Sequence, residues 1–280
     1  MSNNWYRNQQ RFDKQARASS EHVLGPEREA FAEAMAVVAT CLDTVRASRA
    51  ADLPTKRKIA LTTHAFNLLW SAWDAALAGR YDAAANHWRS INETSDLLLA
   101  LFVDPSFADR MRGRKEDVRS ARRVIRDGSK KLGANDAKQW LTQRQRTIKS
   151  LNPFSHVSFE ATGMALGIGI QDGKKIGVLR PGGVPAKPTL KLSAGHLAYD
   201  AVDLSAVTSH AFGGIVGINE RWRTRVRVFG EEAIAAVRRE LDGLDIPPGE
   251  IQKIILLRSD EEPPDPALVG TVIAPEVNDG

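Results

Sequence analysis

The chain has 280 residues, 42% of them hydrophobic, 26% charged and 6% aromatic, the proportions of a globular protein long enough to bury its own core. Its one cysteine, Cys41, excludes an intramolecular disulfide and a cysteine-based metal cluster and points to a reducing, cytoplasmic setting; with no run of about 18 apolar residues, no membrane-spanning helix is expected. The net charge is +5, yet residues 1–150 carry 26 basic and 17 acidic side chains while residues 151–280 carry 13 and 17, so the positive excess sits in the first half.

Residues 1–24 read as a polar, basic segment without the apolar core of a secretory signal. Gly25-Pro26 then opens a helix, because proline suits the first helical position and Glu27 and Glu29 suit the positive end of the helix dipole. Phe31, Met35, Val38, Leu42 and Val45 form its apolar stripe. Pro54 closes the connection, and Thr55 is the expected cap of a second helix that carries Ile59, Phe66, Leu69, Trp70, Trp73 and Leu77 and stops at Gly79. A third long helix, YDAAANHWRSINETSDLLLALFVD, ends at Asp104-Pro105. Short links between long amphipathic helices favour antiparallel neighbours and hence a bundle.

The next stretch is the most basic of the chain, with 14 basic and 5 acidic residues over 105–150. A helix is expected over about 115–127. Its Arg119, Arg122, Arg123 and Arg126 recur at three- and four-residue steps and so share a face. A row of this kind attracts polyanions, and these four are the expected nucleic-acid contacts, with RNA as the partner. The plain alternative is a solvated helix face. Another helix is expected over 135–150, capped by Asn135-Asp136 and marked by Trp140, Leu141 and Ile148.

The glycine-rich stretch that follows holds apolar IGI, a QDGKK turn and IGVL, the pattern of one short hairpin. Helicity resumes at SAGHLAYDAVDLSAVTSHA, with Gly213-Gly214 placed to weaken or bend it, and EEAIAAVRRELDG after Gly230 reads as a final helix. RWRTRVRV between them fits an exposed strand or a solvated helix face, with nucleic-acid contact open to it. The expected organisation is therefore a polar basic segment (1–24), a helical bundle domain (25–243) with a hairpin and loop insertion near 168–192, and a Pro- and acid-rich tail (244–280). The fold class is mainly α: a bundle of about five long helices with a small β-hairpin insertion and an additional C-terminal helical part.

Two constellations carry chemistry. In SLNPFSHVSFEA, Asn152-Pro153 breaks a helix, Asn152 or Ser155 is placed to cap the next one, and His156 falls in its first turn. Free amides there make an anion site, and a histidine among them can exchange protons. In the third helix Arg89, Glu93 and Asp96 lie on one face amid Trp88, Ile91, Leu97, Leu98 and Leu101. That apolar setting suggests a buried Arg–Glu pair, or a polar pocket that meets His156. No Glu-x-x-His occurs, so no di-metal carboxylate bundle is expected. His-x-x-x-His, Gly-x-Ser-x-Gly and phosphate-loop motifs are also missing, and no metal or cofactor is expected. His64, His87, His196 and His210 stand alone in sequence and read as packing or capping residues. Trp70, Trp73 and Trp88 read as core.

The blocks GRYDAAANHWRSINETSDLLLALFVDPSFADR and LNPFSHVSFEATG resemble two blocks of uncharacterised bacterial helical proteins met near mobile elements and abortive-infection systems, some of them grouped with HEPN-type domains. The resemblance covers about a fifth of the chain. It implies a helical bundle and, in the ribonuclease members, a short Arg-to-His motif that acts on the RNA phosphate across a homodimer. His156 matches that histidine, with Asn152 four residues before it. The nearest upstream arginine is Arg146, with nine residues intervening, so the chain departs from the catalytic spacing. If it cleaves, the resemblance makes His156 the general base or acid and Arg89 or Arg146 the phosphate holder. The other reading is a non-catalytic interaction or scaffold protein, in which Arg89, Glu93 and His156 form a buried network.

Overall fold

The computed structural model describes residues 2–48, 52–111, 115–128, 141–142, 166–171, 174–179, 187–215 and 217–243. Among these the chain is mainly helical, with α1 (Ser2–Val23), α2 (Pro26–Ala47), α3 (Leu53–Leu77), α4 (Tyr81–Val103), α5 (Phe107–Arg110), α6 (Lys115–Asp127), α7 (Lys187–Ala211) and α8 (Glu220–Asp242). Between α6 and α7 the stretches Leu166–Gln171 and Lys174–Leu179 lie antiparallel, Leu166 opposite Leu179 and Gln171 opposite Lys174. Of the helix expected over 135–150, Leu141 and Thr142 are described, and both are helical. No described helix is long and apolar enough to cross a membrane.

Local chemistry explains the boundaries. Pro26 lies in the first turn of α2, and the stripe from Phe31 to Val45 is buried as its spacing requires. The cap of α3 is Asp52 rather than Thr55: its Oδ1 accepts from the Thr55 backbone N at 2.7 Å, which sets Leu53 and Pro54 in the first turn. Gly79 closes α3 with φ 74°, a left-handed angle that glycine adopts without strain. The Gly79 and Arg80 amides there bond back to the carbonyls of Ala76 and Ala75, both at 2.9 Å. The three-residue link makes α3 and α4 antiparallel neighbours. Asp104 stops α4, its Oδ1 accepting from the Ser106 backbone N at 3.0 Å.

Within the polar, basic first segment, Ser2–Val23 form a helix that packs Phe12, Ala16 and Ser20 inward; Ser20 Oγ donates to the Leu77 carbonyl at 2.9 Å, and Arg17 is ion-paired with Asp74 of α3. Those positions are four residues apart, a helical period that the polar composition around them obscures. The C-terminal part differs from expectation. Gly213-Gly214 falls between α7 and α8, where Gly217 takes φ 94°, and the next helix starts at the Asn219 cap, whose Oδ1 accepts from Trp222 N at 3.0 Å. RWRTRVRV is therefore helical, and α8 runs straight through Gly230. A Cβ at Gly230 would come 3.0 Å from Val202 Cγ1, so glycine serves close helix packing there.

Two helices hold the core together. α4 is buried over most of its girth and packs on α3, α6 and α7; α7 packs on α2, α3, α4 and α8. Leu69, Leu98, Leu101, Leu190, Leu197 and Leu204 lie fully inside. A smaller cluster of Cys41, Val45, Ala211, Phe212 and Ile218 fixes the α7–α8 link against α2. Trp73 and Trp88 are buried, but Trp70 is 55% exposed. It projects past the edge of the α2–α3 contact, its ring stacked 5.6 Å from that of Phe31, while Trp73 takes the inner position against Phe31 at 4.2 Å.

Candidate functional site

The polar residues of α4 divide by position along the helix. Arg89 Nε donates to Glu93 Oε1 at 2.9 Å, one turn apart, with side chains 33% and 29% exposed. This pair sits at the rim and is not buried among apolar neighbours as its sequence setting suggests. About a third of each side chain is open to solvent, which keeps part of each charge hydrated. Asn92 is fully buried; its Nδ2 donates to the Trp88 carbonyl at 2.8 Å and reaches Asp200 Oδ1 of α7 at 3.3 Å. Asp96, one turn further, is also fully buried.

Asp96 does not join Arg89 and Glu93 in a pocket. Its Oδ2 accepts from Arg122 Nε at 2.8 Å, across the contact between α4 and α6. Arg122, expected as a nucleic-acid contact, thus has a structural partner on α4. At 100° per residue, Arg119, Arg123 and Arg126 fall within an arc of about 60°, and Arg122 lies about 40° beyond Arg126. That offset is enough to turn its guanidinium onto a buried carboxylate. The other three arginines are exposed, and among the described residues none of them has an ion-pair partner. Ala121 and Ile125 form the opposite, buried side of the helix. Gly128, just after α6, lets the chain come against Val103: a Cβ there would collide with Val103 Cγ1. The arginine row therefore stands on a helix anchored by an ion pair and by a close backbone approach.

His156, Arg146, Asn152 and Ser155 lie outside the described residues. Of the residues assigned to chemistry or to its pocket, the structure thus describes Arg89, Glu93 and Asp96. It brings the first two together and gives the third to α6. Among the described residues no group of three His, Cys, Asp or Glu side chains is placed to hold a metal ion.

Two further polar features lack a sequence signal. Lys191 of α7, only 9% exposed, is ion-paired with Glu240 of α8 and stands 3.8 Å from Glu27 of α2, which is fully buried. The three residues join three helices, and separations of 49 residues and more hide them from any motif search. The Lys191 ammonium, by hydrogen bond and charge, holds the Glu240 carboxyl below the usual carboxylate range. A cavity of about 450 Å³ also opens between α7 and α8, with Val202, Ala206, Val226 and Ile234 as floor and His210 and Arg223 at the rim. Its arginines are engaged within their own helix: Arg223 Nη2 lies 2.6 Å from Glu220 Oε2, and Arg227 Nη1 lies 2.8 Å from Glu231 Oε1. Near the same end, Lys58 Nζ donates to the Ala211 carbonyl at the last turn of α7, at 2.9 Å.

No family model, no curated protein and no solved structure matches the chain.

Proposed function

We propose that this is a cytoplasmic, RNA-interacting helical protein that binds through α6. The observation that carries the reading is the row of Arg119, Arg123 and Arg126, exposed and, among the described residues, without ion-pair partners, on a helix anchored to the body. Arginine is suited to phosphate because its planar fork donates two hydrogen bonds at once. Exposed like charges also repel one another, and a polyanion relieves that repulsion.

The kinship with HEPN-type proteins of defence or mobile-element systems, acting as a homodimer, belongs to the same proposal. It is supported by the two sequence blocks and by the mainly helical body. Binding without a chemical step is the part that the described residues support, since Arg89 is engaged by Glu93 and the Arg-to-His spacing departs from the ribonuclease pattern. The test is binding of labelled RNA by the full chain and by Arg119→Gln/Arg123→Gln/Arg126→Gln. Loss of binding in the triple variant is expected, with wild-type affinity falling steeply between about 50 and 200 mM salt. Equal binding by both proteins sinks the reading.

A second reading, a non-catalytic protein-interaction module, is favoured by Trp70. A large ring 55% exposed and held in place by stacking on Phe31 has the character of an interface anchor. Absence of RNA binding by the wild-type chain at low salt would favour this alternative.

A further inference from the structure

We infer that α6 grips a phosphodiester backbone without reading its bases. The inference rests on the RNA-binding reading and names what that face recognises. A rise of 1.5 Å per residue sets Arg119 and Arg123 about 6 Å apart along the axis, and Arg123 and Arg126 about 4.5 Å apart. The row is short and straight, and it follows one strand of a polyanion over about three phosphates.

Reading bases from a helix takes an aromatic ring to stack on them or side chains aimed at their edges, most often Asn, Gln or Arg. The sequence KEDVRSARRVIRD contains no aromatic residue, no Asn and no Gln. Arginine or lysine to guanine, and Ser120 or an acidic side chain to a base edge, are the base contacts its composition leaves open. The fourth arginine, Arg122, is committed to Asp96 and takes no part. The aliphatic Ala121 and Ile125 face the body. What the three arginines present toward solvent is charge on flexible stems, a surface suited to neutralising and positioning phosphates. RNA, single-stranded DNA and inorganic polyphosphate share that chemistry, so all three should compete for the face.

The experiment is fluorescence anisotropy with the full chain. The probes are labelled oligouridine, oligoadenine, a guanine–uracil repeat and oligothymidine DNA of equal length, each titrated across the salt range, with long-chain polyphosphate as competitor. The four affinities are expected to agree within about threefold. The slope of log K against log salt should be about −2 for three phosphates on a single strand, and it should vanish in the Arg119→Gln/Arg123→Gln/Arg126→Gln variant. A preference above about tenfold for one base composition, lost in that variant, would overturn base-neutral recognition while leaving RNA binding by α6 intact. Wild-type binding that the triple variant does not weaken, or no binding by either protein, overturns both this inference and the reading beneath it.

Discussion

Asp96 and Arg122, 26 residues apart in sequence, form the ion pair that fixes α6 to α4: Oδ2 and Nε stand 2.8 Å apart, the carboxylate fully buried and the guanidinium 22% exposed. A buried carboxylate without its partner keeps its desolvation cost and loses the attraction that offsets it. Arg122→Met should therefore destabilise the protein by about 3 kcal/mol, near the low end for a broken buried pair because Arg122 keeps some solvent. Asp96→Leu should cost less when combined with Arg122→Met than the two single changes sum to. Urea unfolding of the four proteins measures this coupling, and simple additivity would show that the pair contributes nothing of its own.

Arg89 and Glu93 form a pair of the opposite kind. With about a third of each side chain in solvent and one helical turn between them, the pair should contribute about 0.3–0.5 kcal/mol, reduced further by salt. Glu93→Ala is expected to shift the unfolding midpoint barely at all. A loss of several kcal/mol would mean that the pair is buried after all.

Asp52 gives a prediction in pH. Acceptance of the Thr55 backbone N–H, with its side chain adding to the effect, holds the Asp52 carboxyl below its ordinary value. A depressed folded value means that the unfolded chain takes up the proton first. The cap is then fully effective above the ordinary Asp range and is lost as the pH falls through the lowered folded value. Asp52→Ala should cost about 1 kcal/mol at neutral pH. Asp52→Asn should keep most of the cap and reduce the dependence of stability on acid, which denaturant melts between neutral and acid pH can read.

Gly128 tests the approach of α6 to α4. An alanine Cβ would collide with Val103 Cγ1, and neither neighbour is a free chain end. Gly128→Ala should destabilise by about 1–3 kcal/mol, the usual range for overpacking, against the small stabilisation that alanine brings to an unhindered site. Polyanion affinity should fall with it if the anchored row is what binds. Pairing Gly128→Ala with Val103→Ala should restore part of the stability.

Cys41 should be chemically silent in the folded chain. Burial pushes its thiol up to about 12, against a smaller opposing effect of a hydrogen bond with Ser209. Almost no thiolate is then present at pH 8, and the sulfur is also out of reach. Thiol reagents should leave it unmodified until denaturant opens the α2–α7 contact. Rapid labelling of the native protein would contradict the packing of that cluster.

The apolar periods of α2, α3 and α4, the proline-led start of α2, the glycine stop of α3 and the extent of α6 are all properties of neighbours within one or two turns, and sequence alone determined them. So did the placement of Arg119, Arg123 and Arg126 on one strip, since a helix translates spacing directly into direction. Tertiary structure alone decided the fate of each charge. Arg122 became an anchor because Asp96 of another helix came within reach, Arg89 and Glu93 stayed partly in solvent, and Lys191 was enclosed by acids from α2 and α8. Burial and pairing depend on what packs opposite a residue, and that partner lies tens to hundreds of residues away, where periodicity carries no signal.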